Sequence, residues 1–244
     1  MVNVRVAVDV RRSIIVLSVS TFAIICSSLI LQVVAVTHGA DHIFGLLPLL
    51  NIDREGNIPA WFSSFLLASA ALIAWSLSVQ LQQGEPRHPG IIGWRVTSLL
   101  LLSMSMDEVG QVHERVGDFV QPFLPDVTYL HFGWVAVGLP AVLILAPFAI
   151  RFLLAIPRRT GRSLLFAAAV FLCGALGVEL ITSAYVGGGG QKVSASYFIL
   201  SHVEEALEMV GVLLAIRGLL KYQETLESER SAPYPARVAA AHTP

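Results

Sequence analysis

Charge is what this chain has least of. Asp, Glu, Lys and Arg make up 14% of its 244 residues, against 55% hydrophobic. A soluble domain averages about 25% charged residues. The polar side chains here are too few to cover a water-facing surface, and the mean hydropathy of +0.71 agrees. That shortage excludes an ordinary soluble globule and predicts lipid as the cover. An excess of either sign is also missing: a net charge of −1 leaves no basic footprint for nucleic acid. Cysteine is nearly absent. Cys26 and Cys173 both fall inside apolar runs, where a free thiol packs as a small hydrophobe. No nucleotide-binding, haem-attachment or nucleophile-elbow pattern occurs. The glycines at 187–190 stand between two apolar runs and precede Gln191 and Lys192. They read as a turn, since a phosphate cradle needs different flanks. No solenoid repeat is visible, and no inverted repeat of the kind many transporters carry.

What is there instead is a series of long apolar runs. A membrane helix needs roughly 20 mostly apolar residues. Six stretches meet or approach this: Ser13–Thr37, Ile58–Leu81, Ile91 to about Glu114, His131–Ile156, Ser163–Val186, and Ser194 to about Tyr222. The expected fold is therefore all-α, a polytopic bundle of about six transmembrane helices. Residues 1–12 form a cytoplasmic N-terminus, 13–222 the membrane domain, and 223–244 a polar, Ala/Pro-rich tail expected to be disordered and cytoplasmic. Basic residues favour the cytoplasmic side. With the N-terminus inside, only Arg54, Arg115 and Lys192 lie outside, a split of 13 against 3 that accounts for all 16 Lys and Arg. The first run is about twice the length of a signal-peptide core, so it is expected to stay as a helix.

Three of these segments carry charge where a membrane helix should not, and charge there marks a functional site by default. Segment three reads SLLLLSMSMDEVGQVHERVGD. At about 1.5 Å per residue, Asp107 lies roughly 18 Å beyond Arg95. Asp107, Gln111 and Glu114 are spaced i, i+4, i+7 and share one face of a continuous helix, with Glu108 and His113 flanking it. Segment six, SASYFILSHVEEALEMVGVLLAIRG, holds His202, Glu204, Glu205 and Glu208. Set on a helical wheel with Ser201 at zero, Glu204, Glu208, Glu205 and His202 fall near −60°, −20°, 40° and 100°, roughly one wide polar face. Segment five adds Glu179, with Thr182 and Ser183 a turn away. His131 opens segment four at the outer boundary, and His38, Asp41 and His42 follow segment one on the same side. The inner half has no comparable acids.

Several buried carboxylates cannot all ionise without positive compensation. Only Arg115 and Lys192 are expected nearby, so protons, histidinium or metal must supply it. Carboxylate and imidazole on facing helices form the ligand set of di-iron and di-manganese bundles, and they suit zinc when one position stays open. Asp107, Glu114, Glu179, His202 and Glu205 are the expected ligands or their supports, and Glu108, His113 and Glu208 the proton carriers. A divalent metal (iron, manganese or zinc) would make the site a hydrolase or oxidoreductase centre for a lipid-like or periplasmic small molecule. A proton- or ion-coupled transporter is the alternative, though the apolar inner halves of segments three, five and six offer no through-path. A structural or sensory bundle is the third.

Two resemblances bear on this. Ser103, Asp107, His113 and His202 faintly resemble the Ser, Asp and His set of zinc hydrolases of the ceramidase and adiponectin-receptor type. The paired His-x-x-x-His of that type is absent, because Ala206 stands four residues after His202. The segments NIPAWFSS (57–64), SMDEVGQVHE (105–114) and EEALEMVG (204–211) resemble motifs of an uncharacterised group of bacterial multi-pass membrane proteins. The likeness spans about residues 40–215. It implies a bacterial inner-membrane location and carries no activity. Asn57, Trp61, Ser63 and Ser64 open segment two on the acid-bearing side and are expected to line the site, with Trp61 also suited to an interfacial belt.

Overall fold

The computed structural model describes residues 9–38, 45–125 and 127–231, and among these there is no strand. The helices are α1 (Val10–His38), α2 (Leu46–Leu50), α3 (Ile58–Gly84), α4 (Gly90–Gly110), α5 (Val112–Val120), α6 (Val135–Ala155), α7 (Arg158–Leu172), α8 (Glu179–Gly187) and α9 (Ala195–Ser231). A π-helical segment, Cys173–Val178, joins α7 to α8. Asp41 and His42 lie outside the described residues.

Four helices are long and apolar enough to cross a membrane: α1, α3, α6 and the continuous run Arg158–Gly187. Six were expected. The two that fall short, on hydropathy and charge and not on length, are α4 and α9, the helices that carry Asp107 and Glu108, and His202 to Glu208. Their outward surfaces elsewhere are apolar, and so are those of the four spans: Phe22, Leu72, Phe148 and Leu154 all point away from the protein. Such a surface suits lipid better than water.

Local chemistry sets the helix ends. Asn57 caps α3, its side-chain oxygen accepting from the Ala60 N–H at 3.1 Å, with Pro59 in the first turn. α4 stops at Gly110 because Gln111 turns left-handed, at φ 55°, the sole non-glycine positive φ among the described residues. The segment read as one helix through Glu114 is thus two helices meeting at a bend. α9 runs on to Ser231, so the part of the polar tail from Gln223 to Ser231 is helical, not disordered. The rest of that tail lies outside the described residues.

The core is a plug of Leu66, Ala70, Ala74 and Leu77 of α3, Trp94 of α4, and Met209, Ile216 and Leu219 of α9. Trp94 lies edge-on to Phe152 at 5.1 Å and stacks on Tyr222 at 5.5 Å. Small hydroxyl residues seam α3 to α4: Ser98 donates to the Ala71 carbonyl at 2.8 Å, and Ser105 to the Ser64 carbonyl at 2.9 Å. Close backbone approach with cross-helix hydroxyl bonds is how helices associate where no hydrophobic effect separates lipid from Leu. α7 crosses α9 at glycine. A Cβ on Gly211 would stand 2.7 Å from the Phe171 backbone nitrogen, and one on Gly174 would stand 2.7 Å from the Glu204 carbonyl oxygen.

Candidate functional site

The acids gather where the ends of α3, α4, α8 and α9 meet α5 and the 51–57 loop. The bend at Gln111 does the first part of the assembly. By turning α5 back, it returns His113 to the end of α4. There the His113 backbone N–H donates to Asp107 Oδ1 at 2.8 Å, and the ring Nδ1 donates to Oδ2 at 2.8 Å. Both oxygens of Asp107 are therefore committed to one residue. The other ring nitrogen, Nε2, faces Glu55 Oε1 at 3.7 Å. The far oxygen of Glu55 is buried and has no hydrogen-bond partner among the described residues. Trp134 meets the His113 ring edge-on at 5.3 Å.

This pair is electrostatically displaced. Burial works against a charged His113, but the Asp107 hydrogen bond and charge, with Glu55 and Glu114, outweigh it and raise the imidazole to about 9. Burial pushes the Glu55 carboxyl up to about 7; His113 opposes the shift, and Glu114, Glu108 and Asp107 add to it. The two shifts favour an imidazolium beside a carboxyl that holds its proton more tightly than usual.

Deeper in, Ser63 donates to Glu108 Oε1 at 3.1 Å. Glu205 and Glu208, spaced three residues apart on α9, fill the middle of the cluster. Glu205 lies within electrostatic range of Glu208, Glu108, Asp53 and Glu55. Glu208 lies within range of Glu108, Glu179, His113 and Asp107. At the far wall the Trp134 indole donates to Glu179 Oε1 at 2.7 Å, and Glu204 comes within hydrogen-bonding reach of Glu179. The donors of the site thus serve Asp107, Glu108 and Glu179 and leave Glu205 and Glu208 without one among the described residues.

The acids of segments three, five and six meet around Glu208, as their placement in apolar runs implied. Two expected members do not join them. Glu114 is exposed, because the bend breaks the i, i+7 relation to Asp107. His202 is buried but faces α1. Its Nδ1 donates to the Phe198 carbonyl at 2.7 Å, and Nε2 pairs with Ser28 Oγ at 3.2 Å. Ser28 in turn accepts from the Ile52 N–H at 3.1 Å. With both ring nitrogens engaged, His202 is a structural pin between α1, α9 and the 51–57 loop. Ser103 is exposed and bonds the Leu99 carbonyl of its own helix, so Ser103, Asp107, His113 and His202 do not form a common centre. His131 is exposed at the rim. The five expected metal ligands are not assembled, and among the described residues no three His, Cys, Asp or Glu side chains gather to hold a metal ion. Of the residues expected to line the site, Ser63 does so through Glu108, Ser64 pairs with Ser105, Asn57 serves as the helix cap, and Trp61 is 62% exposed on the outer surface.

Three residues of the site had no part in the sequence reading. Glu55 and Asp53 sit in a polar loop, where acids ordinarily face water. Asp53 instead accepts from Tyr197 and Ser201 of α9 at 2.8 and 2.9 Å, fastening that loop over the acids. Trp134 bridges His113 and Glu179; its only signal was an aromatic at a helix start.

Comparison with known proteins gives one match. The family model described as "Domain of unknown function (DUF8692)" covers residues 13–222, and the chain belongs to that family. No curated protein matches it, and no solved structure does.

Proposed function

We propose that this member of the DUF8692 family is a six-span membrane protein whose outer pocket exchanges protons with the aqueous side. α4 and α9 are the fifth and sixth spans, with both termini cytoplasmic in a bacterial inner membrane. The observation that carries the reading is the imbalance of charge. Seven carboxyls, Glu55, Asp107, Glu108, Glu179, Glu204, Glu205 and Glu208, surround one imidazole, and the ion pairs of the described residues all belong to His113. Lys192 lies over the Phe132 ring at 5.0 Å and Arg115 is exposed, so neither neutralises the cluster. No other described residue supplies the compensation, and protons are the always-available cation. His113, held by Asp107 and facing Glu55, is the group placed to pass them between water and Glu108, Glu205 and Glu208. Below Glu208 the apolar plug closes the way, so exchange runs to one side.

The test is a proton count. Purified protein in nanodiscs, taken through pH jumps across 7 and across 9 with pH-reporting dyes, is expected to release protons in two steps, the first shrinking in Glu55→Gln and the second in His113→Gln. The carboxylic-acid C=O band in the infrared is expected to lose intensity in Glu205→Gln and Glu208→Gln. An unchanged proton count in both mouth variants defeats the reading. Thiol labelling of Arg54→Cys from the outer side only, and of Arg158→Cys from the inner side only, checks the topology.

A metal-dependent enzyme is the second reading, and one observation favours it. An imidazole held by a carboxylate through Nδ1, with Nε2 free toward a second carboxylate, is the arrangement of metal-ligating histidines. Glu55 would be the second ligand, and water or substrate would complete the set, with iron, manganese or zinc acting on a lipid-like or small outer-side substrate. Stoichiometric metal in the purified protein, lost in His113→Ala, supports it; metal-free protein with intact proton exchange removes it.

A further inference from the structure

Away from the acids, α1 and α9 part to leave an open groove of about 310 Å³, lined by Ile14, Phe22 and Ile25 on one wall and Val210, Leu214 and Arg217 on the other. The two helices run antiparallel. Ser28 meets His202 toward one end, while Val10 joins the cluster containing Leu219, Leu220 and Tyr222 at the other. The groove therefore has a direction. Its Ile25–Val210 end is apolar but for the Thr21 hydroxyl, which is spent on the Leu17 carbonyl of its own helix at 2.9 Å. Its Ile14–Arg217 end carries an exposed guanidinium, and the arginines Arg11 and Arg12 stand one helical turn beyond Ile14. Among the described residues no carboxylate pairs with Arg217; the ion pairs there belong to His113. The exposed Ser18 hydroxyl lines the same end.

An arginine on an apolar, lipid-facing surface is costly unless an anion meets it, and basic pockets between membrane helices take up anionic head groups. We infer that this groove is a site for an anionic glycerophospholipid, its acyl chain lying between α1 and α9 toward Ile25 and Val210 and its phosphate on Arg217. The volume lies at the small end of the roughly 300–1,000 Å³ of ligand pockets, enough for one chain and not for a bulky polar solute. The polarity gradient along the groove selects an amphiphile whose charge sits at one end. Its occupant also completes the seating of α1, which buries only Val10, Thr21, Ser28 and Gln32.

The full chain, delipidated in a neutral detergent and titrated with phosphatidylglycerol or phosphatidylcholine, tests this by native mass spectrometry and by thermal unfolding. Wild type is expected to retain phosphatidylglycerol about fivefold better than phosphatidylcholine, the scale of one arginine at an anionic surface. Arg217→Gln is expected to bring the two lipids to parity, and Arg217→Lys to keep the preference. Leu214→Trp, which fills the groove and leaves the charge, is expected to lose both lipids. Equal retention of the two lipids by wild type, or a preference that survives Arg217→Gln, overturns the proposal, as does displacement of the lipid by inorganic phosphate alone.

Discussion

The two ends of α9 share a helix and little else. From Met209 to Tyr222 its inward side chains, Met209, Val212, Ile216 and Leu219, are buried against α3 and Trp94. From Glu204 to Glu208 its inward side chains are acids facing other acids. The first half is held by contact and owes its stability to fit. The second is held against its own repulsion by the frame around it: the Gly174 and Gly211 crossings, the Ser28–His202–Phe198 chain, and Asp53 anchored to Tyr197 and Ser201. Substitutions in the two halves should therefore move stability in opposite directions.

The comparison is put under most strain at the α7–α9 crossing. Gly211→Leu must displace Phe171 backbone and not a side chain alone, so its cost exceeds the about 1–3 kcal/mol of ordinary overpacking, and loss of folded protein in detergent, the largest effect of the series, is expected here. Trp94→Ala follows, opening a cavity between Phe152 and Tyr222, where such deletions cost about 3–5 kcal/mol when the protein still folds. In the acid half the sign reverses. Glu208→Leu removes a carboxyl crowded by Glu108 and Glu179 and is expected to raise thermal stability by about 1 kcal/mol or more, while lowering the proton count. A fall in stability as large as that of Trp94→Ala would mean that the acids form a satisfied structural network. Smallest is Phe148→Leu on the lipid face, expected to stay within about 0.5 kcal/mol.

pH sharpens the same contrast. Glu55 is raised from 4.5 to about 7 in the folded protein. Its contribution to stability is full below 4.5 and fades as pH rises through 7. His113 is raised from 6.5 to about 9, so its contribution is full below 6.5 and fades as pH rises through 9. Both terms fall with rising pH, and the thermal midpoint is expected to decline steadily from about pH 5 to 9. His113→Gln should flatten the upper part of that decline and Glu55→Gln the lower part.

Much of this was legible in the sequence because charge in an apolar run announces itself. Asp107, Glu108, Glu179, Glu204, Glu205 and Glu208 stood out and do come together. What stayed hidden is what a regular helical wheel cannot hold. The left-handed Gln111 has no strong local signal, and assuming a continuous helix through it sent Glu114 inward and left the return of His113 onto Asp107 unseen. His202 fell at the edge of the wheel, and one wide polar face was in fact two, the acids toward α4 and the histidine toward α1. Glu55 was invisible for another reason: its burial comes from contacts distant in sequence, and nothing about an acid in a polar loop foretells them.

The π-helical stretch between α7 and α8 amounts to one surplus residue in a span that would otherwise wind evenly. Tightening it to ordinary winding with no residue removed would swing everything beyond it by about 100°, whereas taking out one position, Gly177 for instance, would restore the winding and leave that angle nearly unchanged. In the first case Glu179 would turn away from the Trp134 indole with neither partner altered. In this protein the winding of one span is thus enough to hold a carboxyl in the cluster or release it, which makes the backbone of that stretch as telling as the identity of the residues it carries.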